Sequence, residues 1–203
     1  MTTRCNDLAT LVSALEALVF TGKRTDMVVK SSHVVAVSFR RRSSACATLI
    51  VRMYNVVHSP IRGAVMFRKI LVAVDGSRHS SRALEFADDL SRRYKAQLLV
   101  LHAFPHVSDL LGTPQYERML EARALIGEQV LASARAQLSE HELVETQLIE
   151  GPPAPAILRV AAEDGCDLIV LGSRGHGQLA GILLGSVSSV VAQRAVCPVL
   201  IVH

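Results

Sequence analysis

Residues 69–77 read KILVAVDGS. Ile70 to Val74 form an unbroken apolar run of aliphatic and β-branched side chains, as a strand buried on both faces requires. Asp75-Gly76 supplies turn chemistry, and Ser77 is a helix N-cap candidate. Beyond it Ala83, Leu84, Phe86, Ala87, Leu90 and Tyr94 recur at helical spacing, with Arg82, Glu85, Asp88 and Arg92 between them. A buried strand, a tight turn and an amphipathic helix make one unit of a parallel sheet.

The same unit repeats toward the C-terminus. QLLVLHA (97–103) reads as a second buried strand, ended by Pro105. After a variable stretch around 104–114, the spacing of Tyr116, Leu120, Ala124, Leu131, Ala134 and Leu138 predicts a helix from about Gln115 to Ser139. LVETQLI (143–149) is a third strand whose polar Glu145 and Gln147 leave one face wet, so it belongs at a sheet edge. Gly151-Pro152-Pro153 turns the chain, and Pro155 suits the first turn of a helix reaching about Glu163. DLIVLG (167–172) is a fourth strand, followed by a glycine-rich loop, a helix from about Ser186 to Arg194, and VLIV (199–202) after Pro198. Parallel strands joined by right-handed helical crossovers place helices on both faces. The expected class is α/β, an open, doubly wound, five-stranded parallel sheet.

Residues 1–65 have no sustained periodicity. ATLVSALEALVF (9–20) is consistent with about three helical turns, and ATLIVRMYNVV (47–57) with a lone strand. Asp7 and the missing cleavage site argue against a signal peptide. Of the 203 residues, these 65 carry nine Lys/Arg and three Asp/Glu, whereas 66–203 carry thirteen and fifteen. The basic balance therefore belongs to an extension, and does not mark the patterned part as a nucleic-acid binder. The extension reads as poorly ordered, or as untranslated in a protein that starts at Met66; a tail contacting membrane or nucleic acid through Arg40, Arg41 and Arg42 is the functional alternative. With aromatic residues at 4%, no Trp and no apolar run near the roughly 18 residues of a membrane span, stacking platforms and spanning helices are both disfavoured. Cys5, Cys46, Cys166 and Cys197 form no CxxC pair, which fits a reducing cytoplasm and no zinc site.

Open parallel sheets bind ligands beyond the carboxyl ends of their strands, where strand order reverses. Two loops are candidates: Val74-Asp75-Gly76-Ser77, and LGSRGHGQLAGILLGS (171–186), which holds Gly172, Gly175, Gly177, Gly181 and Gly185, five of twelve glycines in the chain. That density suggests unusual dihedrals or a close backbone approach to a ligand. Converging N–H groups and the start of a helix at Gly185-Ser186 suit an anion, with Arg174 and His176 in reach of charged oxygens. Asp75 has two readings: acceptor for sugar hydroxyls or a hydrated metal, or turn residue at the start of the helix. Gly175-His176-Gly177-Gln178-Leu179-Ala180 fits G-x-G-x-x-G/A but follows the wrong strand, and Gly185-Ser186 lacks the Lys of a P-loop.

KILVAVDGS, LLVLHA and LGSRGHG…LLGSVS…CPVLIVH resemble the universal stress protein family over residues 66–203. The spacing G-x2-G-x9-G-S/T is met by Gly172, Gly175, Gly185 and Ser186. The resemblance implies strand order 3-2-1-4-5, binding of ATP or another adenine nucleotide with Mg2+, and a homodimer made by antiparallel pairing of the last strands, 198–202 here. By position it implies that Asp75, with Val74, meets the ribose or adenine side. It implies that Ala73, Ala103 and Leu171 line the base pocket, and that Gly172, Gly175, Gly185, Ser186 and Val187 hold phosphates, with Arg174 and Ser188 nearby. Relatives often carry Pro at 73 and Val at 103; Ala at both makes a roomier slot.

Catalysis needs more than a pocket: a positioned water, a base and a charge clamp. His176 is the one candidate base in the loop, and His102 reads as a hydrogen-bonded core histidine. Cys166 and Cys197 read as inert small hydrophobes. The expected function is a cytoplasmic, nucleotide-binding stress-response or signalling module with at most slow hydrolysis and no catalytic or metal-ligating residues of its own. A phosphohydrolase using the same pocket and a nucleotide-free protein-interaction module are the alternatives.

Overall fold

A computed structural model describes residues 67–106, 113–138, 143–176 and 184–203, together with the backbone of three N-terminal strands. In chain order the elements are β1 (Thr25–Val29), β2 (Val34–Arg40), β3 (Cys46–Arg52), β4 (Lys69–Ala73), α1 (Arg78–Tyr94), β5 (Gln97–Phe104), α2 (Thr113–Gln137), β6 (Val144–Glu150), α3 (Pro153–Glu163), β7 (Leu168–Gly172), α4 (Ser186–Arg194) and β8 (Val199–Val202).

Strands β8-β7-β4-β5-β6 run parallel, which is the order 3-2-1-4-5 counted from β4. Side chains alternate between faces along each strand. Ile70 and Val72 of β4, with Val74 just after it, join Leu98 and Val100 of β5 under α1 and α2. Leu71 joins Leu99, Leu101 and Ile169 under α3 and α4. Ile70, Leu71 and Val72 are fully buried. This is why the run carries no polar residue: a central strand covered on both faces has no wet side. β6 pairs with β5 and ends the sheet, as its polar Glu145 and Gln147 predict.

The opposite margin differs from expectation. One lone strand is predicted within 47–57, but three are present, and they extend the sheet as an antiparallel meander β1-β2-β3. β3 pairs with β8 from Ala47↔Val202 to Ile50↔Val199. The edge at 198–202 on which two copies were expected to pair is therefore occupied by the chain's own β3. The reason is backbone chemistry. An uncovered β8 would present a row of unpaired N–H and C=O groups beside four buried residues. The 9–20 helix and the 53–57 part of the strand prediction lie outside the described residues.

The amino ends of the strands are tied by charge. Asp167 accepts the N–H groups of Arg68 at 2.7 Å and Lys69 at 3.0 Å, which anchors the start of β4 beside β7. The Lys69 ammonium lies 2.8 Å from Asp164 and 3.4 Å from Glu145. The Asp164 hydrogen bond, outweighing the effect of burial, raises the Lys69 pKa. The polar bonds that hold the sheet together here sit at the end opposite the candidate site, which leaves the carboxyl ends free to form a crevice.

Candidate functional site

The chain leaves β4 toward β5 on one side and later returns to β7 on the other, so strand order reverses between β4 and β7. Both predicted loops emerge at that point. After β4, Val74 N–H donates to the Leu101 carbonyl at 2.9 Å. Asp75 Oδ1 then accepts the Ser77 N–H at 3.0 Å. Gly76 sits at φ +81°, the left-handed region that favours glycine. Ser77 is the N-cap of α1, its hydroxyl accepting the Ser80 N–H at 3.2 Å.

After β7, Ser173 N–H donates to Val202 at 2.7 Å, and the Gly185 N–H returns to the Ser173 carbonyl at 2.7 Å. That short bond sets the start of α4 directly beyond β7. No side chain caps α4 at Gly185. The first N–H groups of a helix have no intrahelical acceptor, so those of Ser186, Val187 and Ser188 are available to an anion. The two loops touch each other: His176 Nε2 donates to the Asp75 carbonyl at 2.7 Å, and a Cβ built on Gly175 would land on Asp75 Oδ2.

A cavity of about 660 Å³ opens between them. Each residue that the resemblance placed at the ligand lines it: Ala73, Val74 and Asp75 from the β4 end, Ala103 from β5, and Leu171 and Gly172 from β7. Arg174 and Gly175 follow from the loop, and Gly185, Ser186, Val187 and Ser188 from the head of α4. The strand ends contribute apolar wall, and residues 172–176 and 184–189 contribute glycine backbone, hydroxyls and Arg174. The cavity is thus apolar on one side and rich in hydrogen-bond donors on the other.

Residues 66–203 match the family model described as the universal stress protein family. The chain belongs to the universal stress protein family. A universal stress protein of Thermus aquaticus is 43% identical over 138 residues, spanning 68% of this chain and all of that relative. Among solved structures, UspA from Lactobacillus plantarum superposes with a TM-score of 0.59 at 25% identity, over 67% of this chain and 97% of that one. The universal stress protein from Archaeoglobus fulgidus, solved in complex with dAMP, gives 0.51 at 25% identity over 68% and 99%. The family match begins at Met66, so β1–β3 lie outside it.

Within this universal stress protein fold, three details bear on the residue roles expected. Ser188 lines the cavity, but its hydroxyl donates inward, to the carbonyls of Ser173 at 3.0 Å and Gly185 at 3.1 Å. It braces the turn and has no proton left for a phosphate. Asp75 takes the turn role, its Oδ1 accepting from the Ser77 N–H, and the residue also lines the cavity. The glycines serve close approach rather than unusual dihedrals. Of the loop glycines described, Gly172, Gly175 and Gly185, none has a positive φ. Gly177 and Gly181 lie outside the described residues.

Other lining residues were not legible. Pro153 and Ile157 of α3 close the apolar wall; in the sequence the first reads as a turn residue and the second only falls within a predicted helix. Ser80, Leu184 and Ser189 also line it. Their only signal is proximity in sequence to Ser77 and Gly185. His176, the one candidate base in the loop, also lines the cavity; it is exposed and bonded to the Asp75 carbonyl. Burial pushes the Cys166 thiol up to about 11 and that of Cys197 to about 12, so neither is a thiolate nucleophile at neutral pH.

The charge of Arg174 is felt on both sides of the β7 end. Burial, then Arg174, lowers the pKa of His79; burial, then His79 and Arg174, lowers that of His203. A histidine whose folded pKa lies below its unfolded value of about 6.5 stabilises the fold fully above that pH. The contribution is lost as pH falls through the folded pKa. The expected result is a melting temperature that drops between pH 7.5 and pH 5.5, with a smaller drop in His79→Gln. Differential scanning fluorimetry across that range checks it, and an equal drop in both proteins refutes it.

Proposed function

We propose that this protein binds an adenine nucleotide, ATP in the first instance, as a cytoplasmic stress-response or signalling module that hydrolyses it slowly or not at all. One observation carries the reading: residues as distant as Ala73 and Ser186 converge on a single cavity with an apolar wall and a rim of glycine backbone ending at an uncapped helix start. In this reading the base lies against Ala73, Ala103 and Leu171, the ribose meets Asp75, and the phosphates rest on Gly172, Gly175, Gly185, Ser186 and Val187 with Arg174 beside them. The dAMP complex of the Archaeoglobus fulgidus relative supports the nucleotide class.

Asp75 is the one carboxylate among the lining residues. A Mg2+ ion would therefore be held chiefly by phosphate oxygens and water, with Asp75 and Ser186 as protein partners, and would neutralise phosphate charge. His176 is the one candidate base in the loop; its Nε2 donates to the Asp75 carbonyl, which holds the ring against the β4 turn and leaves Nδ1 as its basic nitrogen. Calorimetric titration with ATP and AMP tests the reading, and a phosphate-release assay separates a binding module from a phosphohydrolase. No heat with either nucleotide refutes it; turnover near 10 per second, an ordinary enzyme rate, makes the protein a hydrolase.

In the same reading the chain divides into an N-terminal extension (1–65) and a nucleotide-binding domain (66–203). A homodimer through 198–202 requires β3 to leave β8, because Ala47–Ile50 already pair with Val199–Val202. With β3 in place the full chain is expected to run as a monomer. Thr48→Pro with Leu49→Pro is expected to yield dimers: of two successive residues one N–H faces β8, and proline removes it. Light scattering on a sizing column measures both. Dimers in the unmodified chain, or monomers in the double variant, would contradict β3 as the block.

A further inference from the structure

His102 lies on β5 and is 9% exposed. Alternation along the strand puts it on the face covered by α2, behind the sheet from Leu101 and the cavity wall. Gly127 of α2 is what makes room for it: a Cβ there would stand 3.1 Å from His102 Cδ2 and would overlap Leu148. From this position His102 Nδ1 lies 2.7 Å from the Val74 carbonyl oxygen. A carbonyl only accepts, so Nδ1 carries the proton, and that bond sets the tautomer.

The bond acts where the regular sheet stops. The pairing of β4 with β5 ends at Ala73↔Leu101, and Val74 is the first residue beyond it. Its carbonyl belongs to the peptide unit whose other half is the Asp75 N–H. Peptide planarity makes that unit rigid. Holding the oxygen therefore sets the direction in which the chain enters Asp75. On the far side Asp75 is held by its own carboxylate accepting from Ser77 and by its carbonyl accepting from His176. His102 is the one of these three partners that reaches the turn from the neighbouring strand.

We infer that His102 is a positioning residue for the nucleotide site: by fixing the Val74–Asp75 peptide from the rear of the sheet, it aims the Asp75 carboxylate into the cavity. The inference rests on the nucleotide reading for its consequence, and on the Val74 bond alone for its geometry. Three variants separate this role from general packing. Asparagine at 102 puts an amide N–H close to the place of Nδ1. Glutamine carries its amide farther out, toward the place of Nε2, and leucine has no donor.

The experiment measures two things in each variant: ATP affinity by calorimetry, and exchange of the Ser77 amide by NMR without nucleotide. His102→Leu and His102→Gln are expected to lose about tenfold in ATP affinity, the scale of one lost hydrogen bond, and to exchange the Ser77 amide about tenfold faster. His102→Asn is expected to stay within about threefold of the unmodified protein in both. Should His102→Leu fail to fold, the comparison of Gln with Asn decides. Equal affinities and equal exchange across Gln and Asn overturn the inference. If the unmodified protein binds no ATP, the nucleotide reading falls by itself. The Ser77 amide then decides the geometry, and unchanged protection in His102→Gln overturns it.

Discussion

Gly175→Val is expected to reduce ATP affinity at least about a hundredfold, roughly 2.7 kcal/mol, while shifting the melting temperature by no more than about 3 °C. The argument is steric and local. A Cβ at 175 would land on Asp75 Oδ2, which leaves no room even for alanine. Either the carboxylate swings away or the 174–176 backbone lifts. The first removes the group proposed for the ribose; the second breaks the 2.7 Å bond from His176 to the Asp75 carbonyl and moves the proposed phosphate cradle. Gly175 is exposed and contributes nothing to either core, so the fold should tolerate the change. Calorimetry paired with a thermal melt reads both halves. Unaltered affinity would remove the loop from the site.

Gly172→Val should do the opposite, lowering stability by about 3 kcal/mol or more before any effect on binding is reached. A Cβ on Gly172 would lie 2.7 Å from the carbonyl carbon of His79 and 2.9 Å from its oxygen. These are backbone atoms in the first turn of α1, and they cannot rotate away as a side-chain tip would. α1 packs Ala83, Leu84, Ala87 and Leu90, all essentially buried, against the sheet. Lifting its first turn therefore disturbs the larger core. Urea denaturation gives the loss. A midpoint within error of the unmodified protein would mean that α1 yields easily, and the tight contact would then have no structural weight. The pair of variants separates two glycines that look alike in the motif, one set against the Asp75 carboxylate and one against a helix.

Their difference shows where reading along the chain stops. Spacing marked Gly172, Gly175 and Gly185 as one set, and fold and cavity agree with that set. Nothing in the spacing distinguishes a glycine needed for a helix from one needed for Asp75, because His79 and Asp75 lie about a hundred positions away. The same holds for α3, whose Pro153 and Ile157 wall the cavity although the sequence marks only a turn at Pro153 and a helix after it. It holds for Ser188, whose hydroxyl direction depends on two carbonyls brought near by the turn at Gly185.

The amino-acid order alone determined the five parallel strands, the caps and turns between them, and which two loops flank the crevice. Apolar periodicity, an N-cap serine and a glycine turn act over a few residues, so they can be read locally. Tertiary structure decided the rest. It brought Asp75 under Gly175, set His102 against the Val74 carbonyl of the neighbouring strand end, and seated β3 on the edge of β8. Each of those is a contact between segments whose register is fixed by packing, and pairwise distances across a fold are written in no single stretch of the chain.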